Sequence, residues 1–255
     1  MERGLPALHQ ALERQRPLTC AHRGGRARAP ENTLSAFRQA VAAGVDMVEL
    51  DVQLTADGEV VVLHDAELGR TTNGTGRVRD RRWDELSRLD AGAWFGARYR
   101  GERVPTLAEV LDWARGRVYL QIELKPYGAD ATLLCERVVE LVRQRDMQDQ
   151  VMLLSFDHHV LRWCKEMAPD ILTGAICQAR LIDPVGVVRS AGADVLCVDA
   201  EHLAPREVDL LHRARIAVHS FGSNPGTLRE LAGWGVDIVQ SDDPLALSEL
   251  VATRR

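Results

Sequence analysis

Several features that mark other classes of protein are missing from this sequence. No run of about 18 apolar residues occurs, so we expect no membrane-spanning helix. The composition, with 45% hydrophobic and 27% charged residues, excludes an intrinsically disordered or fibrous chain. An excess of basic residues is also missing, because the formal net charge is −5. We therefore expect no nucleic-acid partner and no stable membrane association, and an anionic ligand needs a local binding site.

Lysine and paired cysteines are scarce as well. Lys125 and Lys165 are the only lysines among the 32 basic residues, so a lysine at a candidate site stands out. The five cysteines are an odd number in apolar surroundings and include no Cys-x-x-Cys pair, which predicts reduced, buried thiols. Together with a charged amino-terminal segment that does not resemble a signal peptide, these thiols predict a cytoplasmic location.

Short apolar runs recur along the chain, and helical patterns separate most of them. Such alternation over about 250 residues is typical of parallel strands joined by helical crossovers, and it favours a TIM (β/α)8 barrel. We expect residues 1–255 to form a single domain. The predicted strands lie at about 18–22, 46–53, 59–64, 117–124, 151–155, 171–176, 194–199, 216–220 and 236–241, and predicted helices include 33–43 and 205–213.

Nine predicted strands are one too many for the barrel, and a hairpin accounts for the extra one. Asp57-Gly58 is a typical two-residue hairpin turn, and the flanking strands are too close in sequence for a parallel crossover. In a regular hairpin His64 faces Asp51, and Glu49 lies on the same face of the sheet. A bulge would shift this register by one residue.

The regular alternation breaks down between about 66 and 104. Six glycines punctuate this stretch, which also contains Trp83, Trp94, Phe95 and Tyr99. A loop of this length inside a compact domain is usually functional. We interpret it as an insertion after the hairpin that forms a small cap over the mouth of the barrel.

Three carboxylates lie at or near the carboxyl ends of predicted strands, where barrel enzymes build their active sites. Glu49 and Asp51 point to the same side of one strand, and Glu123 lies at the end of another. Like charges this close require a cation or a proton. Three oxygen ligands suit one hard divalent cation, Mg2+ or Ca2+, and not Zn2+.

Basic residues and histidines occur at the same strand ends. The first strand ends in His22-Arg23, the hairpin returns His64, and the fourth predicted strand ends in Glu123-Leu124-Lys125. Arg23 and Lys125 could hold a phosphate group. His22 and His64 then remain for proton transfer, one taking a proton from the nucleophile and one giving a proton to the leaving oxygen.

Each of these residues also has an ordinary interpretation. Glu49 or Asp51 alone could be a solvent-facing strand residue, and Lys125 could simply end its strand. Their common location makes this interpretation less convincing for the group as a whole. The other six histidines are interpreted as surface or packing residues, although His219 lies near a strand end. Further acidic residues that follow strands either line the mouth or cap the next helix: Asp199, Glu201, Asp242 and Asp243.

Six spaced blocks in the first half of the chain occur in the order of a known family. They are HRGG at 22–25, PENT at 30–33, VELDVQLTADGEVVVLHD at 48–65, GRTTNGTG at 69–76, VPTLAEVL at 104–111 and IELKP at 122–126. A further block, GVDIVQSDDP at 235–244, lies near the end of the chain. These blocks resemble those of the glycerophosphodiester phosphodiesterase family, and the resemblance spans nearly the whole chain.

The resemblance implies a TIM barrel with an inserted cap that hydrolyses a glycerophosphodiester to sn-glycerol 3-phosphate and an alcohol. It also implies that the substrate's own 2-hydroxyl is the first nucleophile and gives a cyclic phosphate that water then opens. By the family's pattern, the divalent cation is bound by Glu49, Asp51 and Glu123, the acid/base pair is His22 and His64, and the phosphate is contacted by Arg23 and Lys125.

One departure from the family concerns its Trp-x-x-Asn pattern. This chain has Phe221-Gly222-Ser223-Asn224 instead, so Phe221 takes the aromatic position. Phenylalanine keeps an apolar wall for the glycerol carbons or the alcohol but lacks the indole N–H donor.

Two other functions stay open. One is a lysophospholipase D-like phosphodiesterase that acts on larger lipids; no anchoring segment supports it, although Trp94 and Phe95 could touch lipid. The other is a barrel that binds phosphodiesters without turnover, which predicts a missing catalytic group, and none is missing. The expected partner is a small-molecule glycerophosphodiester, and the expected assembly is a monomer or a homodimer.

Overall fold

Eight parallel strands close into a barrel in the computed structural model, which describes residues 5–14, 17–128 and 131–252. The neighbours around the barrel are β1, β9, β8, β7, β6, β5, β4 and β2, with β2 returning to β1, and β3 adds to β2 in antiparallel orientation. The predicted TIM barrel is therefore confirmed. The strands are β1 Leu18–Ala21, β2 Met47–Leu54, β3 Val60–Val62, β4 Tyr119–Leu124, β5 Val151–Ser155, β6 Leu172–Cys177, β7 Val195–Asp199, β8 Ala217–Phe221 and β9 Ile238–Ser241.

Helices connect most of the parallel strands and pack against the outside of the barrel. Thr33 caps the second helix by accepting a hydrogen bond from the backbone N–H of Ala36, as a threonine before a helix is expected to do. No helix within the described ranges has the length and apolarity needed to span a membrane. The helices are α1 Leu8–Arg14, α2 Leu34–Ala42, α3 Trp83–Leu86, α4 Leu107–Ala114, α5 Ala131–Arg143, α6 His158–Met167, α7 Pro184–Ala191, α8 Pro205–Arg213, α9 Pro225–Gly233 and α10 Pro244–Ala252.

Apolar side chains fill the space outside the strands and the amino-terminal end of the barrel. Outside, residues such as Phe37 and Leu111 pack against the strands and are fully buried. Inside, Leu8 and Leu12 of α1 pack with Met47 and other strand residues. Helix α1 therefore covers the amino-terminal end, and the polar residues of the interior lie toward the opposite end.

The hairpin formed by β2 and β3 has a different register from the predicted one. Val52 pairs with Val62 and Leu54 pairs with Val60, so Asp51 is level with Leu63 and not with His64. The turn has three residues instead of two, because the backbone N–H of Thr55 donates to the carbonyl of Glu59. The extra turn residue shifts the register by one, and His64 lies beyond the regular end of β3.

Residues 66–104 fold as short turns of 3-10 helix around α3. Leu68, Val78 and Leu86 form a small core with Val61 and Leu63 of the hairpin. Farther along, the hydroxyl of Tyr99 donates to the carbonyl of Arg28 in the loop after β1. None of the described residues that line the central cavity falls between 66 and 104. The segment packs on the hairpin and on the loop after β1, and its role as a cap over the mouth stays a prediction.

Candidate functional site

The barrel opens at the carboxyl ends of its strands into a cavity of about 290 Å³. Seven of the eight predicted site residues line this cavity, and the eighth, Asp51, is fully buried beside them. The structure thus brings all eight to one place. The seven lining residues are His22, Arg23, Glu49, His64, Glu123, Lys125 and Phe221.

Three carboxylates form the most strongly perturbed group of the site. Glu49 and Asp51 on β2 and Glu123 on β4 are buried, and their nearest ligand atoms all lie within 4.8 Å of one another. Burial and the neighbouring carboxylates raise the pKa of Glu49 well above its usual range and raise the pKa of Glu123 to about 7. Burial also acts to raise the pKa of Asp51, but Lys125 and Arg23 outweigh it, and the pKa is lowered.

The same three side chains have the chemistry of a divalent-cation site. Oδ1 of Asp51 and Oε1 of Glu123 are buried, and the single ammonium group of Lys125 lies within 3.3 Å of both, so one lysine is shared by two carboxylates. A buried acceptor of this kind needs a proton, a cation or a donor. An all-oxygen set of carboxylates suits a hard divalent cation, so Glu49, Asp51 and Glu123 fit the metal that the sequence predicts.

The turn after β1 positions Arg23. The backbone of Arg23 has a positive φ of 51°, and its N–H donates to Oε2 of Glu49 at 2.7 Å. Gly24 follows with a φ of 78°, and a Cβ there would lie 2.6 Å from the ring of Phe37. The arginine side chain donates to Glu31 at 2.8 Å and lies 3.4 Å from Asp51. A glycine-dependent turn therefore fixes the Arg23 guanidinium at the edge of the carboxylate cluster.

Lys125 lies beside the carboxylates at the wall of the cavity. Its Nζ is 2.5 Å from Oε1 of Glu123 and 3.3 Å from Oδ1 of Asp51, and the residue is 7% exposed. Burial acts to lower the pKa of Lys125, but the two carboxylates outweigh it, and the pKa is raised. The side chain is therefore a stable cation at the cavity surface.

His22 is held by a carboxylate that the sequence left with two interpretations. Nδ1 of His22 is 2.7 Å from Oδ1 of Asp242, and Arg26 donates to the same oxygen at 2.7 Å. On its other side, Nε2 of His22 lies 3.9 Å from Glu49, and the ring packs edge-on against Phe221 at 5.5 Å. Asp242 thus orients the histidine so that Nε2 is turned toward Glu49.

His64 is held in the same way from the other side of the site. Its Nδ1 is 2.7 Å from Oδ1 of Asp65, and Arg70 binds both oxygens of Asp65, at 2.5 and 3.0 Å. Hydrogen bonding from Arg70 is the main reason that the pKa of Asp65 falls to about 2. Burial lowers the pKa of His64 despite the nearby Asp51, so the ring tends to be neutral.

Arg70 also connects His64 to Arg23. Its guanidinium donates to both oxygens of Glu31, at 2.9 and 2.7 Å, and Glu31 accepts in turn from Arg23. Arg70 belongs to the irregular segment 66–104, and its side chain links that segment to the site.

Sequence reasoning missed the residues that orient the site. The side-chain amide of Asn32 donates to Oδ2 of Asp51 at 2.8 Å, and its carbonyl oxygen accepts from the Asp51 backbone N–H at 3.2 Å. All of the missed residues lie inside the sequence blocks noted above, which is the one signal that could have identified them. They are Glu31, Asn32, Asp65, Arg70 and Asp242.

The fold and the site together define a class of protein. One cavity of the barrel holds three carboxylates suited to a cation, two oriented histidines and two basic side chains. This set of groups is expected of a barrel hydrolase that acts on phosphate esters. The comparison with known proteins agrees. Residues 22–246 match the glycerophosphoryl diester phosphodiesterase family.

Individual relatives match over most of the chain. The glycerophosphodiester phosphodiesterase of Caldanaerobacter subterraneus is 35% identical over 236 residues, which cover 92% of this chain and 97% of the relative. A phosphodiesterase of Oleispira antarctica, solved in complex with the product sn-glycerol-3-phosphate, superimposes with a TM-score of 0.87 at 31% identity and covers 92% of this chain and 97% of its own. This chain belongs to the glycerophosphoryl diester phosphodiesterase family.

Proposed function

We propose that this protein hydrolyses glycerophosphodiesters to sn-glycerol 3-phosphate and an alcohol. One observation carries the proposal: three buried carboxylates with ligand atoms within 4.8 Å of one another stand beside two oriented histidines and two basic side chains in a single cavity. Membership of the family supports the reaction, and the product found in the Oleispira antarctica phosphodiesterase supports the substrate class.

The proposal assigns the cation to Glu49, Asp51 and Glu123, and it names the cation as Mg2+ or Ca2+ because all the ligands are carboxylate oxygens. When bound, such a cation supplies positive charge that stabilises a phosphoryl group and acidifies a nearby hydroxyl. Arg23 and Lys125 contact the phosphate from the edge of the same cluster, and their ion pairs with the carboxylates keep both of them charged.

His22 and His64 transfer the protons of the reaction. Each ring has its Nδ1 on an aspartate, which leaves Nε2 for a substrate oxygen. One histidine takes the proton of the nucleophilic hydroxyl and the other gives a proton to the leaving oxygen. Phe221, packed on His22, supplies an apolar wall for the carbon chain of the glycerol or the alcohol.

We also propose that residues 1–255 form one domain and that the protein is located in the cytoplasm. The location is supported by five free cysteines, four of them buried, as expected of a protein in a reducing compartment.

The experiment is an activity screen on purified protein with Mg2+, Ca2+ and Mn2+. We expect release of sn-glycerol 3-phosphate from glycerophosphocholine with a divalent cation and none after exhaustive chelation. Full activity after chelation contradicts the metal assignment. No release from several glycerophosphodiesters with any of the cations favours a barrel that only binds, and preferred cleavage of lysophospholipids favours the lysophospholipase D-like alternative.

A further inference from the structure

Two polar side chains on the cavity wall, His219 and Gln240, have no part in the proposed reaction. In the closed order of strands, β7 and β8 lie across the barrel from β2 and β4, which carry the three carboxylates. His219 on β8 is level with Cys197 on β7. The next inward-facing residues toward the mouth are Phe221 and Asp199, which are also level with each other. The deeper part of this wall is therefore uncharged.

His219 is buried at the cavity with its polar atoms unsatisfied. The residue is 5% exposed, and neither ring nitrogen has a hydrogen-bond partner among the described residues. Burial and the nearby His22 lower the pKa of His219 to about 3, so the ring is neutral near pH 7. A neutral imidazole offers one donor and one acceptor. Buried polar groups of this kind are normally paired, which indicates that something polar occupies the adjacent space.

Gln240 on β9 adds a second polar group one step nearer the mouth, where it is level with Phe221. It is 6% exposed, it lines the cavity from β9, and its Nε2 is 3.7 Å from Sγ of Cys20, which is a weak contact. The surrounding wall is formed by the apolar side chains of Cys197 and Phe221 and by others of the same kind. Neutral donors and acceptors on an apolar wall suit a hydroxyl on a short carbon chain. They do not suit a phosphate, because no arginine or lysine is level with His219 or Gln240 on β7, β8 or β9, and the charged residue at the level of Gln240 is the acidic Asp199.

We propose that His219 and Gln240 form one end of the cavity and bind a hydroxyl group of the substrate there. This end selects phosphodiesters that place a hydroxyl within its reach when their phosphate is bound at Arg23 and Lys125. This inference rests on the proposed function. The hydroxyl has two possible sources, the glycerol that stays with the phosphate and the alcohol that leaves, and both present the same chemistry to the imidazole.

The test compares ligands with and without the hydroxyl. The first pair is sn-glycerol 3-phosphate and its analogue without the terminal hydroxyl, with dissociation constants measured by calorimetry. The second pair is glycerophosphoglycerol and glycerophosphopropanol, compared by kcat/KM. We expect the wild-type protein to prefer the hydroxylated member of one pair by about 10- to 100-fold, because a site built to bind a hydroxyl rejects the analogue that lacks it. His219→Leu should reduce that preference to below about 3-fold.

Matched variants separate this effect from a general loss of fold. Cys197→Ala changes the wall at the same level without removing a hydroxyl-binding group, so the preference should persist. His219→Gln keeps a donor and an acceptor and should keep most of the preference. Gln240→Leu tests the site from β9 if His219→Leu does not fold, and it should weaken the preference as well.

The outcome identifies the source of the hydroxyl. Loss of preference in the first pair, with equal slowing of both diesters, assigns the hydroxyl to the retained glycerol. Loss in the second pair alone assigns it to the leaving alcohol. Unchanged ratios in both pairs for His219→Leu and Gln240→Leu overturn the inference. If the wild-type protein cleaves no diester, the proposed function fails, and calorimetry with the intact diesters still tests the hydroxyl site.

Discussion

Replacing Arg70 by methionine should slow turnover strongly, although Arg70 does not line the cavity. Arg70 makes two forked ion pairs, one with Asp65, which orients His64, and one with Glu31, which binds Arg23. Methionine keeps much of the apolar stem but removes all four hydrogen bonds. His64 and Arg23 would then lose the connection that fixes their relative position.

The magnitude follows from the burial of each partner. The Asp65 pair lies near the surface, with side chains 43% and 28% exposed, so we discount it to about 0–1 kcal/mol. The side chain of Glu31 is 5% exposed, and its loss of a charged partner costs about 1–3 kcal/mol. The sum corresponds to a drop in thermal midpoint of roughly 2–16 °C for a chain of this size. Loss of a residue that orients active-site groups typically lowers activity by about 10- to 100-fold.

The assay measures kcat and KM for release of sn-glycerol 3-phosphate at a temperature where every variant is folded. Arg81→Met is the control, because Arg81 lies in the same segment and its ion pair with Glu85 is exposed. The control should keep both its kcat and its thermal midpoint. Arg70→Lys, which keeps the charge but not the forks, should fall between wild type and methionine. If Arg70→Met matches Arg81→Met in kcat/KM, the positioning argument is wrong.

Four further predictions concern the histidines and the carboxylates. His22→Ala and His64→Ala should each abolish turnover with little change in far-UV spectrum or thermal midpoint, and near-normal turnover in either rejects its acid/base role. Asp242→Asn should lower kcat about 10- to 100-fold through His22, and an unchanged kcat argues against this orientation. The pKa of Glu123 is raised to about 7 from an ordinary 4.5, so its contribution to metal-free stability is complete below about pH 4.5 and is lost as pH rises through 7. The increase in thermal midpoint caused by Ca2+ should therefore grow between about pH 5 and 8. An increase that stays constant over this range refutes the metal site. Glu49→Gln should leave metal-free stability equal or higher but remove that thermal shift, and a full shift in the variant excludes Glu49 as a ligand.

The barrel and the strand-end residues could be predicted from the sequence because both depend on local pattern. Apolar runs separated by helical stretches placed every strand boundary within two residues of its observed position. Residues at carboxyl strand ends converge in any barrel, so the approximate location of His22, Glu49 and Glu123 followed from the fold alone.

The supporting contacts could not be predicted because they depend on side chains far apart in sequence. Arg70 meets Glu31 across 39 positions, and Asp242 meets His22 across 220. The predicted register of the hairpin was wrong for a local reason. The same Asp-Gly signal fits a two-residue turn and a three-residue turn, and the two turns differ by one residue in strand pairing. His64 nevertheless reaches the cavity, because the chain leaves the regular ladder just before it.

The charges of the site explain how an acidic chain could attract an anionic substrate. The cluster has three carboxylates, Glu49, Asp51 and Glu123, against two basic side chains, Arg23 and Lys125. The raised pKa values of Glu49 and Glu123 indicate that the arginine and the lysine do not balance the negative charge of the cluster. In the absence of metal, the raised pKa values of Glu49 and Glu123 favour a proton on the cluster. A divalent cation in its place would turn the cavity from near neutral to positive, while the chain as a whole keeps its net charge of −5. Attraction of a phosphodiester to this cavity would then depend on the cation, since the rest of the surface repels anions on average.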